Sequence, residues 1–105
     1  MSDDTVTRDN PHESRYEIWL DDELAGFTNY AIHGTQADFT HTQVGEAYGG
    51  RGLATQLIRA ALDDARRRGW SVVPYCQFVR AFIAEHAEYR DLVPAAEHER
   101  FGLPS

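Results

Sequence analysis

The chain has 105 residues, ten arginines and no lysine against 17 acids, a net charge of -7, 42% hydrophobic residues and one cysteine. One cysteine excludes an internal disulfide and a cysteine-built zinc site, no run approaches the roughly 18 apolar residues of a membrane span, and the acidic balance argues against nucleic-acid binding. The length suits one domain with one modest core, and the acidic start, Met1-Ser2-Asp3-Asp4, is unlike a basic signal peptide, so a cytoplasmic protein is expected.

Residues 1–14 are polar, contain Pro11 and show no apolar period, which predicts a mobile N-terminal tail. Tyr16, Ile18 and Leu20 alternate with Glu17 and Trp19 ahead of an Asp-Asp-Glu turn, predicting a strand. A second extended run covers Gly26 to Ile32, the turn His33-Gly34-Thr35 follows, and residues 37–44, rich in Phe, Thr and Val, complete an antiparallel meander. From Leu53 the period changes. Leu53, Ala54, Leu57, Ile58, Ala61, Leu62 and Ala65 form one helical stripe. Asp63 with Arg67 and Asp64 with Arg68 stand four residues apart, and Gly69 suits the end of the helix. Residues 70–75 read as a strand that must run parallel to 37–44, because a helix separates the two. Pro74 lacks an amide donor, so pairing should fail near it. After Cys76, Phe78, Val79, Phe82 and Ile83 repeat the helical spacing, Tyr89, Leu92 and Val93 suit a short final turn, and residues 94–105 read as a loose C-terminal tail. The expected fold is α+β, with its domain at residues 15–93.

Charge is unevenly placed. Residues 1–24 hold two arginines against eight acids, whereas residues 48–76 hold five arginines against two aspartates, and this basic stretch opens on a glycine cluster. A strand, a glycine-rich loop and a helix together present unpaired amides to an anion, because the first amides of a helix have no internal partner and the dipole adds positive charge there. Gly49, Gly50, Arg51, Gly52, Leu53 and Ala54 supply that surface, with Thr55 adding a hydroxyl. A tight turn with no ligand is the other reading. No Gly-Lys-Ser/Thr or GxGxxG follows, so the loop is neither a Walker motif nor a dinucleotide fingerprint.

These residues resemble the pyrophosphate loop of the GNAT superfamily of acetyl-CoA-dependent N-acetyltransferases, Arg/Gln-x-x-Gly-x-Gly/Ala. Gly52 and Ala54 match its last two positions, and Gly49 stands where Arg or Gln is usual. His41-Thr42-Gln43-Val44, Val73-Pro74-Tyr75-Cys76 and His86-Ala87-Glu88-Tyr89 extend the likeness to the small single-domain GNAT subfamily marked by a glycine and a cysteine in the acetyl-CoA site, over about residues 16–93. The resemblance implies an antiparallel meander joined to a parallel strand pair splayed around the cofactor, with two main helices. It implies that acetyl-CoA or CoA lies in the splay, contacting Val44 and residues 49–55, with the acetyl group near Cys76.

Three roles stand open for Cys76: a nucleophile that carries the acetyl group, an acid that protonates the departing CoA thiolate, or a small apolar wall of the pocket. Its place at the start of a helix favours the thiolate. His41 and Glu46 are candidate bases for the acceptor amine, each with a purely structural alternative. His12, His33, His86 and His98 show no ligand spacing, so no metal is expected. The function implied is transfer of acetyl from acetyl-CoA to an unidentified amine on a small molecule, peptide or protein, with no nucleic-acid or membrane partner. The alternatives are a non-catalytic CoA or acyl-CoA-binding module and a small interaction domain with no cofactor.

Overall fold

Four strands follow one another along the chain in the computed structural model, which describes residues 5–45 and 52–103: β1 (Thr5–Asn10), β2 (Arg15–Leu20), β3 (Glu23–His33) and β4 (Gln36–Val44). After them come α1 (Leu53–Arg67), β5 (Ser71–Pro74), α2 (Gln77–Glu85), a 3-10 segment (Ala87–Leu92) and the single turn α3 (Ala95–His98). The sheet order is β1-β2-β3-β4-β5. The first four strands pair antiparallel and β5 joins β4 in parallel, the α+β arrangement that the alternation and the change of period anticipate.

The predicted stripe on α1 is the stripe that is buried: Leu53, Leu57, Ile58, Ala61, Leu62 and Ala65. It closes over Tyr16, Ile18, Tyr30, Ala37, Phe39 and Val72 of the sheet in one core. The helix stops where Gly69 turns left-handed at φ 75°. There the Gly69 amide donates to the Arg66 carbonyl at 3.1 Å and the Trp70 amide to the Ala65 carbonyl at 2.9 Å, a double closure that needs a residue tolerant of positive φ.

Three expectations are corrected. The N-terminal tail is shorter than composition suggests, because residues 5–10 form an edge strand along β2. Its polar side chains are held by partners distant in sequence: Asp9 accepts from Tyr30 Oη at 2.5 Å and Arg68 at 3.0 Å, and Asn10 donates to the buried Glu17 at 2.9 Å. The C-terminal segment is likewise folded as far as residue 103, since Phe101 and Leu103 are buried in the core. Of the two expected helical ion pairs only Asp64 with Arg68 forms, at 2.8 Å. Arg67 also closes on Asp64, while Asp63 accepts from Tyr89 Oη at 2.7 Å.

Asp64, Tyr16, Arg68, Asp9 and Tyr30 thus tie the edge of the sheet to the end of α1, with Tyr16 Oη donating to Asp64 at 2.6 Å. Burial, followed by the bonds donated to Asp64 and Asp9, raises both phenols well above their ordinary value. A group raised in the folded state adds stability that is complete below its unfolded value, about 10 for tyrosine, and fades as pH climbs past it. Urea midpoints should therefore fall steeply above about pH 10, and the Tyr16→Phe/Tyr30→Phe protein should lose most of that slope. A wild-type midpoint that stays level there contradicts the assignment.

Candidate functional site

The site begins where two parallel strands part. The β4–β5 ladder ends at the pair Phe39 and Pro74, because proline has no amide hydrogen to continue it. The chain then re-attaches once, through the Cys76 amide to the Phe39 carbonyl at 2.8 Å, and turns into α2. β4 runs on to Val44 without β5 beside it.

At the same point β4 carries one residue too many. Tyr30 faces Phe39 and Asn29 faces His41, so Thr40 has no partner on β3. Such a bulge shifts the alternation of every later side chain. Thr42 consequently lies opposite the fully buried Thr28, with 2.9 Å between their hydroxyl oxygens, and its Oγ1 stands 3.2 Å from Cys76 Sγ. His41 turns to the other face of the strand, where its ring packs 6.3 Å from Phe27.

Thr40, His41, Thr42, Tyr75, Cys76, Gln77, Phe78 and Ala81 enclose a cleft of about 480 Å³. Cys76 is 7% exposed at its base, while Tyr75 and Phe78, at 43% and 46%, are aromatics left open to the cleft. Phe78 continues the predicted helical stripe, yet only Val79, Phe82 and Ile83 of that stripe enter the core. Phe78 and Ala81 also border a hollow of about 170 Å³ lined by Thr55, Phe82, Glu85 and His86. The two cavities adjoin at Phe78 and Ala81 of α2, one reaching Cys76 and the other Thr55 in the first turn of α1. Beside that hollow His86 stacks on Phe82 at 3.9 Å and donates Nδ1–H to its carbonyl at 2.7 Å.

The first turn of α1 has amides without helical partners. Gly52 occupies the cap position in a left-handed conformation, no side-chain cap is made, and the first helical bond runs from the Gln56 amide to the Gly52 carbonyl at 3.0 Å. The amides of Leu53, Ala54 and Thr55 are therefore without helical partners. Leu53 is buried in the core, whereas Ala54 is half-buried and Thr55 exposed. Gly49, Gly50, Arg51 and the candidate base Glu46 lie outside the described residues. Val44 is half-buried opposite Gly26 and does not line the cleft.

The basic stretch is less available than its count suggests. Arg59 stands 3.7 Å from Glu88, Arg66 holds Asp91 through two bonds of 2.8 and 2.9 Å, and Arg67 and Arg68 are engaged with Asp64. Among the described residues no group of three metal-ligating side chains comes together. Sequence reasoning overlooked Thr42, Gln77, Phe78 and Ala81 as cleft residues. The helical period marks Phe78 as apolar but cannot say that it stays open, and no local signal marks the bulge.

A family model described as GCN5-related N-acetyl-transferase matches residues 15–92. The chain belongs to that family. Protein NATD1 of Bos taurus is 37% identical over 49 residues, 47% of this chain and 43% of that protein, so the match spans less than half of the curated relative. A GCN5-like protein from Staphylococcus aureus superposes with a TM-score of 0.69 at 22% identity, covering 93% of this chain and 95% of the other. The ribosomal-protein-S18-alanine N-acetyltransferase of Escherichia coli gives 0.53 at 19% identity over 55% of this chain and 38% of its own. At these identities the two structures establish a shared fold.

Within this family member, Gly26 sets how closely β3 approaches the end of β4. A Cβ there meets the Gln43 carbonyl at 2.7 Å and Val44 Cγ2 at 2.8 Å, closer than any real side chain tolerates. Gly26→Ala should cost about 1–3 kcal/mol in urea unfolding as β4 is pushed away; an unchanged midpoint contradicts the close approach.

Proposed function

We propose that the protein is an acetyl-CoA-dependent N-acetyltransferase, which moves the acetyl group of acetyl-CoA to an amine. The observation that carries this reading is the pair of cavities that adjoin at Phe78 and Ala81, between Thr55 in the first turn of α1 and the Cys76 thiol. Its two ends differ as the two ends of acetyl-CoA differ. The pyrophosphate suits Gly49, Gly50, Arg51 and Gly52 with the amides of Leu53, Ala54 and Thr55, where the helix dipole favours anions. The pantetheine arm suits the opening between β4 and β5, where the ladder has already ended and strand-edge groups are free to bond an amide-bearing chain. Its thioester then reaches Cys76, and Val44 flanks the entry from the end of β4.

In this reading His41 receives a proton from the acceptor amine, directly or through water, from the open face of β4. The reaction belongs to the cytoplasm, with acetyl-CoA and the amine as partners and without nucleic acid or membrane. No helix among the described residues is long and apolar enough to cross a bilayer.

One observation favours a second reading, a CoA-binding module without turnover: no carboxylate lines the Cys76 cleft among the described residues, and His41, which borders it, packs its ring against Phe27 on the other face of β4. Thermal unfolding with rising acetyl-CoA tests the shared step. A ligand at about 100 times its Kd adds about 2.7 kcal/mol to stability, so the midpoint should climb by several degrees. No shift at saturating acetyl-CoA overturns both readings. With binding in hand, release of free CoA thiol on adding a panel of primary amines supports the transferase. Binding without release from any amine supports the module.

A further inference from the structure

The hydroxyls beside Cys76 have a direction, and that direction sets the state of the thiol. Thr28 is fully buried, and among the described residues the one partner recorded for its hydroxyl is Thr42 Oγ1 at 2.9 Å. Thr42 Oγ1 has a second neighbour, Cys76 Sγ, at 3.2 Å. A hydroxyl has a single proton to give. If Thr42 gave its proton to Thr28, the Thr28 proton would be buried with nothing to accept it, at the cost of an unsatisfied polar group. Thr28 therefore donates to Thr42, and the Thr42 proton is left for the sulfur, its other neighbour within hydrogen-bond distance.

We propose that Thr42 is a positioning residue for Cys76: held in orientation by Thr28, it donates a hydrogen bond to Sγ, supports the thiolate, and leaves the thiol proton facing the cleft.

The other bonds of Cys76 make this geometry firm. Its amide is held by the Phe39 carbonyl at 2.8 Å, and its carbonyl accepts from the Arg80 amide at 3.0 Å. It occupies the cap position of α2, but its side chain makes no capping bond. The sulfur is therefore not engaged with the helix, and the dipole of α2 adds to the support that Thr42 gives to negative charge there. The bulge at Thr40 is what makes the contact possible, since in unbroken alternation Thr42 would turn away from Phe39 and the core.

The inference rests on the acetyltransferase reading for its purpose and is written for the role of Cys76 as an acid, in which the thiol begins protonated. The amine nitrogen bonds to the acetyl carbonyl carbon, the carbon–sulfur bond breaks, and the CoA sulfur leaves with the electron pair. That sulfur takes the proton of Cys76, whose thiolate is then held by the Thr42 hydroxyl. The proton lost from the amine passes to His41, directly or through water, and Cys76 regains one from water.

The test needs no acetyl-CoA, so it can fail while the cofactor reading stands, and the reverse. Cys76 is the only cysteine in the chain, so the rate of iodoacetamide labelling followed by intact mass reports on it alone. Across a pH series, Thr42→Val should label about ten-fold more slowly than wild type near neutral pH, the effect expected from losing a bond to a charged acceptor. The two should converge at the alkaline plateau, where access alone sets the rate. Thr42→Ser, which keeps the donor, should follow the wild-type profile, and Thr28→Val should be slowed by a smaller factor. A Thr42→Val profile that overlays wild type overturns the proposal, as does a reduction that persists unchanged at the plateau. If the valine variants do not fold, NMR of the wild type decides. The Thr42 hydroxyl proton should be seen in slow exchange and should shift when Cys76 is alkylated. A rapidly exchanging hydroxyl, or one blind to alkylation, overturns the proposal.

Discussion

The ending of the β4–β5 ladder at Phe39 and Pro74 is the constraint on which the site depends. One missing amide hydrogen at Pro74 and one surplus residue at Thr40 act on the two strands at the same level. The first frees the edge of β4 beyond Phe39, and the second rotates the side chains that follow. Between them they open a cleft, place Cys76 at its base and turn Thr42 toward the sulfur. The single bond from the Cys76 amide to the Phe39 carbonyl keeps the parted strands from drifting. An opening between strands normally exposes backbone groups at a cost, and here those groups are the ones a long amide-bearing ligand can satisfy.

The parting is held open from outside. Leu57, Ile58, Ala61, Leu62 and Ala65 fasten α1 to one face of the sheet, so the first turn of that helix faces the groove at a fixed distance from α2. At the far end of α1, Arg68 joins Asp64 to Asp9, and two tyrosines donate to the same two carboxylates. These charges bind β1 to the helix and take up arginines that their position in the chain would otherwise offer to a phosphate. On the other side Phe101 lies edge-on to Tyr75 at 5.6 Å, with Arg100 over both rings, which makes the C-terminal segment a support for one wall of the cleft.

What could be read from the residues follows from how local each signal is. The α1 stripe, its glycine stop, the parallel strand and the failure of pairing at Pro74 are written within a few residues of where they act. Thr5–Asn10 escaped notice because an edge strand with both faces wet shows no apolar alternation, and its partners Tyr30 and Arg68 lie far along the chain. Phe101 and Leu103 are two apolar residues without a period, and only the finished fold offers them a place. Cys76 was legible from its resemblance to the family, but Thr42 was not. A bulge depends on the register between two strands, and a one-residue shift changes which of His41 and Thr42 faces the thiol. Gly49, Gly50, Arg51 and Glu46 lie outside the described residues, so the loop reading rests on the sequence motif and on the helix that follows it.

The central claim is that acetyl-CoA lies in the groove between the first turn of α1 and the parted ends of β4 and β5. Hydrogen exchange measured by NMR, with and without acetyl-CoA, tests it most directly. The account predicts slower exchange at the amides of Leu53, Ala54 and Thr55 and along residues 40–44 and 76–78, with the Asp9 and Asp64 side of the molecule unchanged. Protection confined to that opposite side, or spread evenly over the sheet with none at Leu53–Thr55, would contradict it.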